Sequence, residues 1–196
     1  MRRDLLTSVI AIVALTIIFG VAFPLVVTGI AKVAFPGRAD GSLVTVHGRV
    51  VGSKLIGQNF KGRRRYFQER PSTATKYNAA ATAFTNLGPN SKDARKTFAS
   101  SLAAYLKLER PYDPGLTAAR VPIDAVTSSA SGIDPQISQA NARIQAHRVA
   151  TVRHLPLSTV DRLIDQNTAG RLLGVLGEPA VNVLELNLAL DRQTAR

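Results

Sequence analysis

From Leu5 to Ala31 the chain carries no charged side chain. A helix rises about 1.5 Å per residue, so this run reaches roughly 40 Å. That exceeds the roughly 30 Å of a bilayer's hydrocarbon core. The run therefore predicts one membrane-spanning helix, its surplus absorbed by tilt or by a bend at Pro24, which removes one helix hydrogen bond. Arg2 and Arg3 would also suit the charged end of a cleavable signal peptide. The run is, however, about twice the length of a usual signal-peptide apolar region. It also leads through Ala31, Lys32, Val33, Ala34, Phe35 and Pro36, with no small-x-small cleavage site. A retained anchor is expected.

Beyond the span the pattern breaks into short pieces. Phe35 to Ser42 (FPGRADGS) reads as a linker. Val44 to Val51 alternates as a strand does, and the chain from Gly52 to about Pro71 is irregular. Asn86 to Asn90 (NLGPN) reads as a turn. Ser91 caps a helix from Lys92 to Leu108, with Ala94, Phe98, Leu102 and Leu106 on one face, and Pro111 stops it. Val121 to Val126 suits a short edge strand interrupted by Pro122. Asp134 is expected to cap a second helix with Pro135 in its first turn and Ile137, Ala140, Ile144, Val152 and Leu155 on one stripe. Gln145, Arg148 and Val152 share an edge of that stripe, where a polar pair can meet a partner. Ser158 and Asp161 form a capping box for a shorter helix carrying Val160, Leu163 and Ile164. Gly170, Gly174 and Gly177 interrupt the next stretch, and Val181 to Leu190 alternates as a closing strand.

The resulting fold class is α+β: one N-terminal transmembrane helix followed by a single small mixed α/β extracytoplasmic domain. Its divisions are 1–34 for the N-terminus and span, 35–42 for the linker and 43–196 for the domain. About 160 residues after the span suffice to bury roughly two thirds of the unfolded surface. The Lys and Arg residues flanking the span nearly balance, and a long following domain translocates largely regardless of its charge. An inside N-terminus and an outside domain follow.

The net charge of +12 raises the question of nucleic acid. Lys61, Arg63, Arg64 and Arg65 form one dense cluster before Tyr66 and Phe67, but no nucleic-acid fold motif surrounds it. Lipid headgroups or an acidic partner fit better, and no nucleic acid is expected. With no Cys, the chain has no disulfides and no thiolate metal site or nucleophile. His147 and His154, about 10 Å apart on a helix, do not share an ion, and His47 stands alone. No metal site is expected. Neither a phosphate-cradling G-x-x-x-x-G-K-[ST] loop nor a G-x-S-x-G elbow occurs. Ser128, Ser129 and Ser131 suit a turn, and Asp124 and Asp134 suit turn and cap positions rather than a catalytic carboxylate pair. No catalytic residue emerges. Within the span Gly20 and Gly29, with Ala14, Ala22, Thr16 and Thr28, offer small surfaces to a partner helix.

Six blocks spread over the chain complete the picture: GSKLIGQNF (52–60), YFQERPS (66–72), NLGPNS (86–91), VPIDAVTSSASGIDPQIS (121–138), QAHRVA (145–150) and LGEPAVNVLELNLALD (176–191). In this order, after one N-terminal span, they resemble the C subunit of the bacterial Kdp potassium-transporting P-type ATPase. The resemblance implies a single-pass protein of the cell inner membrane with a cytoplasmic N-terminus. It implies a complex with a channel-like potassium-binding subunit, an ATP-hydrolysing P-type subunit and a very small membrane subunit. The D-K-T-G phosphorylation motif is absent from this chain, so hydrolysis belongs to another subunit, and the resemblance implies that potassium is handled by a partner subunit. The resemblance also implies a catalytic chaperone that raises ATP affinity in the P-type subunit, with Gln145 touching nucleotide. ATP is the one cofactor it suggests. The family's Q-x-P-R-V reads here as Gln145, Ala146, His147, Arg148 and Val149, without the proline. The alternatives are a pilin-like assembly protein, which usually carries a Glu early in its apolar helix, and a membrane-tethered hydrolase.

Overall fold

The computed structural model describes residues 2–72, 77–83, 85–88 and 90–194. It divides into two compact units, residues 1–53 and 54–196.

The first unit begins with a continuous helix, Arg2–Ala34, of 33 residues, none of them buried, long and apolar enough to cross a membrane. It comprises α1 (Arg2–Leu15), a π-helical stretch (Thr16–Ala22) and α2 (Phe23–Ala34). The π stretch sits just ahead of Pro24, whose ring crowds the carbonyl four residues back and whose nitrogen donates nothing. Widening this turn lets the Phe23 N–H reach the carbonyl of Ile18, five residues back. A short helical turn, α3 (Pro36–Ala39), falls in the expected linker.

Val44 to Val51 is not one strand. It is the hairpin of β1 (Leu43–Val46) and β2 (Arg49–Ser53), paired antiparallel with Val46 opposite Arg49. His47 and Gly48 turn the chain with φ of +48° and +74°, the two positive values that a tight two-residue hairpin requires.

In the second unit α4 (Lys92–Glu109) starts where expected, Ser91 Oγ accepting from the Ala94 N–H at 3.3 Å. The expected turn at 86–90 includes Pro89, which lies outside the described residues. The 121–126 edge strand is replaced by 3₁₀ turns at Ala118–Arg120 and Ile123–Ala125. Pro122 supplies no N–H for a ladder, and the turns need none from it.

A three-stranded antiparallel sheet follows, in the order β3 (Gln136–Ser138), β5 (Ala180–Asn182), β4 (Thr168–Ala169). The helices α5 (Gln139–Arg153), α6 (Leu157–Gln166) and α7 (Val183–Thr194) complete the unit. Three expectations are corrected here. Asp134 does not cap a helix; its carboxylate accepts from the Gln136 N–H at 3.0 Å, β3 intervenes, and Ser138 Oγ caps α5 by accepting from Asn141 N at 3.1 Å. The Ser158–Asp161 box does not form, because α6 already begins at Leu157 after Pro156, and Asp161 faces Arg143 at 3.6 Å. The closing strand spans only Ala180–Asn182, after which Asn182 Oδ1 accepts from Glu185 N at 3.1 Å and turns the chain into α7.

The core gathers Ile137, Ala142, Ala146, Val149, Val160, Ile164, Val181, Val183, Leu186 and Leu190. Helix α5 is buried over most of its circumference rather than along one stripe. Phe67 is fully buried in the same core although it comes from irregular chain. That chain brings polar backbone inside, and buried N–H and C=O groups need partners.

Candidate functional site

Those partners are side chains of α5 and α7. The Phe67 N–H donates to Asn187 Oδ1 at 2.8 Å, and Asn187 Nδ2 donates to the Phe67 carbonyl at 3.0 Å. One residue on, the Gln68 N–H donates to Gln145 Oε1 at 2.7 Å, and Gln145 Nε2 returns a bond to the Gln68 carbonyl at 3.0 Å. Arg148 Nη1 donates to the carbonyls of Arg64 and Tyr66, the latter at 2.9 Å. Arg153 Nε donates to the Arg65 carbonyl at 2.7 Å. Four side chains thus do for residues 64–68 what a neighbouring strand would do.

Gln145 is 1% exposed and Arg148 is fully buried, so both lie inside the unit rather than at an outer helix edge. The Gln145 amide is saturated. Its oxygen also accepts from Arg148 Nη2 at 3.0 Å, and its nitrogen also donates to Asn141 Oδ1 at 3.0 Å. Arg148 Nε meets both oxygens of Glu109, at 2.9 and 3.1 Å. At the other end Asn141 accepts from Tyr105 OH at 2.8 Å and donates to Asp124 at 3.0 Å, while Asp124 also holds the Ser138 N–H and hydroxyl, each at 2.8 Å. One network therefore runs from Asp124 through Asn141, Gln145 and Arg148 to Glu109, stitching α4 and α5 to the 64–68 segment.

Burial lifts the Glu109 carboxyl above its ordinary range, and the charge and hydrogen bonds of Arg148 pull against that lift. Tyr105 is pushed up by burial first and by the charge of Glu109 second. A cavity of about 860 Å³ opens beside this network, with Lys61, Arg64, Glu69, Tyr77, Tyr105 and Gln145 among its lining. Glu69 is its unusual member. Oε1 accepts from the Gln58 N–H at 2.8 Å, while Oε2 is buried with no hydrogen-bond partner among the described residues. Burial raises this carboxyl to about 8, against the opposing pull of the Gln58 N–H. A Cβ at Gly57 would lie 2.1 Å from Glu69 Oε2 and 3.1 Å from the Asp134 carbonyl oxygen, so any larger residue there must displace the Glu69 carboxylate.

The other candidates separate. Asp134 pairs with Arg70 at 3.7 Å, and Asp124 belongs to the network, so the two carboxylates do different jobs. The Ser129 hydroxyl accepts from Gly132 N at 3.0 Å, as a turn residue does, and that of Ser131 from Ile133 N at 3.3 Å. Lys61, Arg63, Arg64 and Arg65 are exposed, and Arg153 rather than the cluster makes the closer approach to the Tyr66 ring, at 4.8 Å. Gly29 has nothing within 4 Å of a Cβ built on it, and Gly20 only Thr16 of its own helix at 3.7 Å.

Glu109, Asn141, Asn187 and Glu69 were not foreseen. A signal existed for two of them. Glu109 ends a helix, where the macrodipole disfavours an acid, and Asn187 interrupts the apolar face of a leucine-rich run.

Residues 5–192 match the model of the KdpC family, the K+-transporting ATPase c chain. The potassium-transporting ATPase KdpC subunit of Bradyrhizobium diazoefficiens is 46% identical over the full length of both chains. That of Mycobacterium tuberculosis is 46% identical over 98% of this chain and 100% of its own. That of Methylibium petroleiphilum is 48% identical over 97% and 98%. The chain belongs to the KdpC family. Membership supports an accessory role in a Kdp ATPase and sets aside the pilin-like and hydrolase alternatives. The resemblance read from the six sequence blocks is thereby established, and the α+β fold behind one N-terminal apolar helix stands with it.

Proposed function

We propose that this KdpC-family chain is a non-catalytic, single-span subunit that assembles and stabilises a high-affinity potassium uptake pump of the cell inner membrane. Its N-terminus is cytoplasmic and its domain lies outside, over the mouth of the channel-like potassium-binding subunit. ATP is hydrolysed on the P-type subunit, and a very small membrane subunit completes the complex. The observation that carries this reading is the saturated amide of Gln145: all its hydrogen bonds are made within the chain, which suits a scaffold.

A second reading makes the chain a catalytic chaperone that raises ATP affinity in the P-type subunit, with Gln145 touching nucleotide. The cavity that Gln145 helps to line favours it. Potassium-stimulated ATPase measured against ATP concentration in intact complexes separates the two. Under the scaffold reading Gln145→Ala orphans the Gln68 N–H and carbonyl, weakens the domain by about 2 kcal/mol or more and leaves the ATP requirement unchanged once assembly is normalised. A several-fold rise in that requirement, with normal assembly and potassium affinity, would favour the chaperone reading. Topology has its own test, since the chain has no native Cys. Gln193→Cys should react with an impermeant maleimide in spheroplasts before permeabilisation, and labelling only afterwards would place the domain inside.

A further inference from the structure

The π stretch Thr16–Ala22 and Pro24 together leave a backbone oxygen bare in the middle of the apolar helix. Three N–H groups could ordinarily serve the Phe19 carbonyl. The α-helical one, four residues on, is that of Phe23, and it is given to Ile18. The next would come from Pro24, which has none. The third, from Ala22, lies inside the π stretch and reaches back five residues, to Ile17. Pro24 also deprives the Gly20 carbonyl of its α-helical donor. Gly20 has no side chain to screen either oxygen, and the nearest side chain to a Cβ built there is Thr16 of the same helix, at 3.7 Å.

Depth decides what can answer the Phe19 carbonyl. Roughly 20 Å of helix separates Phe19 from either end of the uncharged run Leu5 to Ala31. Half a hydrocarbon core is about 15 Å, so the carbonyl lies near the bilayer centre in either orientation of the chain, out of reach of headgroups and bulk water. A backbone oxygen without a donor is costly there, and a side chain on a neighbouring helix is the usual remedy. The chain's own donors in the run are Thr7, Ser8, Thr16 and Thr28. Thr7 and Ser8 bond to the carbonyls of Arg3 and Asp4, at 2.9 Å each. A helical threonine reaches back three or four residues, which takes Thr16 away from Phe19 and brings Thr28 no nearer than Pro24. A second, parallel copy does no better. Its Thr16 sits about 4.5 Å short of the Phe19 level and points away toward the N-terminus, and its Thr28 lies about 14 Å beyond.

We propose that the turn Phe19–Pro24 is a polar docking point in the span, where a hydroxyl or amide side chain on a membrane helix of another pump subunit donates to the Phe19 carbonyl beside Gly20. The proposal rests on the reading of the chain as an assembling subunit of the pump, and adds the point of contact and the chemistry of the partner.

Phe19 and Gly20 form the sole Phe–Gly pair in the sequence, so phenylalanine labelled with carbon-13 at the carbonyl and glycine labelled with nitrogen-15 let solid-state NMR pick out the Phe19 carbonyl in the full chain. Its signal should move downfield, the sign of a new hydrogen bond, from the chain alone in vesicles of phosphatidylethanolamine and phosphatidylglycerol to the assembled complex in the same lipid. Pro24→Ala restores the α-helical donors. It should show the bonded position already in the chain alone and recover several-fold less of the other subunits. An unbonded position in both states overturns the proposal. A bonded position in the wild-type chain alone also overturns it, and assigns the donor to water or to a second copy. Full recovery of the other subunits by Pro24→Ala overturns the docking role. A wild-type chain that recovers no other subunit overturns the assembly reading and the proposal with it.

Discussion

Arg148 enters the interior with five N–H donors and no acceptor, so its burial stands or falls with the groups that meet it. Glu109 neutralises it, the carbonyls of Arg64 and Tyr66 accept from Nη1, and Gln145 Oε1 accepts from Nη2. Glu109→Ala leaves a buried charge uncompensated and is expected to cost about 3–5 kcal/mol, read from thermal or denaturant unfolding of the full chain in detergent. Glu109→Leu with Arg148→Met should recover only part of that loss, because the two carbonyls stay without donors. Glu69 makes a different prediction. Burial pushes its carboxyl up to about 8 in the fold from an ordinary 4.5, so between these values the folded state holds a proton that the unfolded state has released. Stability then falls as pH rises from about 4.5 to about 8 and levels off above. Glu69→Gln should flatten that slope in melting temperatures taken across the range. Gly57→Ala should cost about 1–3 kcal/mol through overpacking, a loss that Glu69→Ala relieves.

At the scale of elements, the segment 64–68 behaves as a strand whose partners are side chains of α5 and α7. Asn187→Leu removes both bonds to the Phe67 backbone in the core, and each orphaned group costs about 1–3 kcal/mol. The expected outcome is a loss of about 2 kcal/mol or more, with the Phe67 amide exchanging far faster than that of Val149. Elements with strong local signals were legible in the chain: α4 with its Ser91 cap, and the apolar N-terminal helix. The hairpin at His47–Gly48 was missed because apolar and polar positions alternate straight through its turn, and only the glycine marks the reversal. The segment 181–190 satisfies a period of two and also places Val183, Leu186, Asn187 and Leu190 on one helical face. Its leucines, alanine and glutamate favour helix, and the Asn182 cap settles the matter.

For the molecule as a whole, no described residue of the apolar helix is buried, which suits a span packed against lipid and against partner helices. Added side chains at Gly20 and Gly29 meet no group of another element, so Gly20→Leu with Gly29→Leu leaves the chain's own fold intact. Small residues let helices approach closely in lipid. The double variant should therefore co-purify with far less of the other pump subunits, and unchanged recovery would shift assembly to the domain that follows the helix.

The uncharged run from Leu5 to Ala31 and the ordered family blocks were decided by sequence alone, because a span and a family signature are local: each is read from neighbours along the chain. The fate of Gln145 and Arg148 was not. Helical phase placed them together, three residues apart, but whether they faced solvent, nucleotide or their own chain depended on residues far away in sequence. Arg64 to Gln68 lie about 80 residues earlier and Glu109 lies 39 earlier. Irregular chain carries no periodicity to announce that it will be buried. Only the tertiary structure brought its bare N–H and C=O groups against α5 and α7, and the need to satisfy them made scaffolding residues of an amide and a guanidinium.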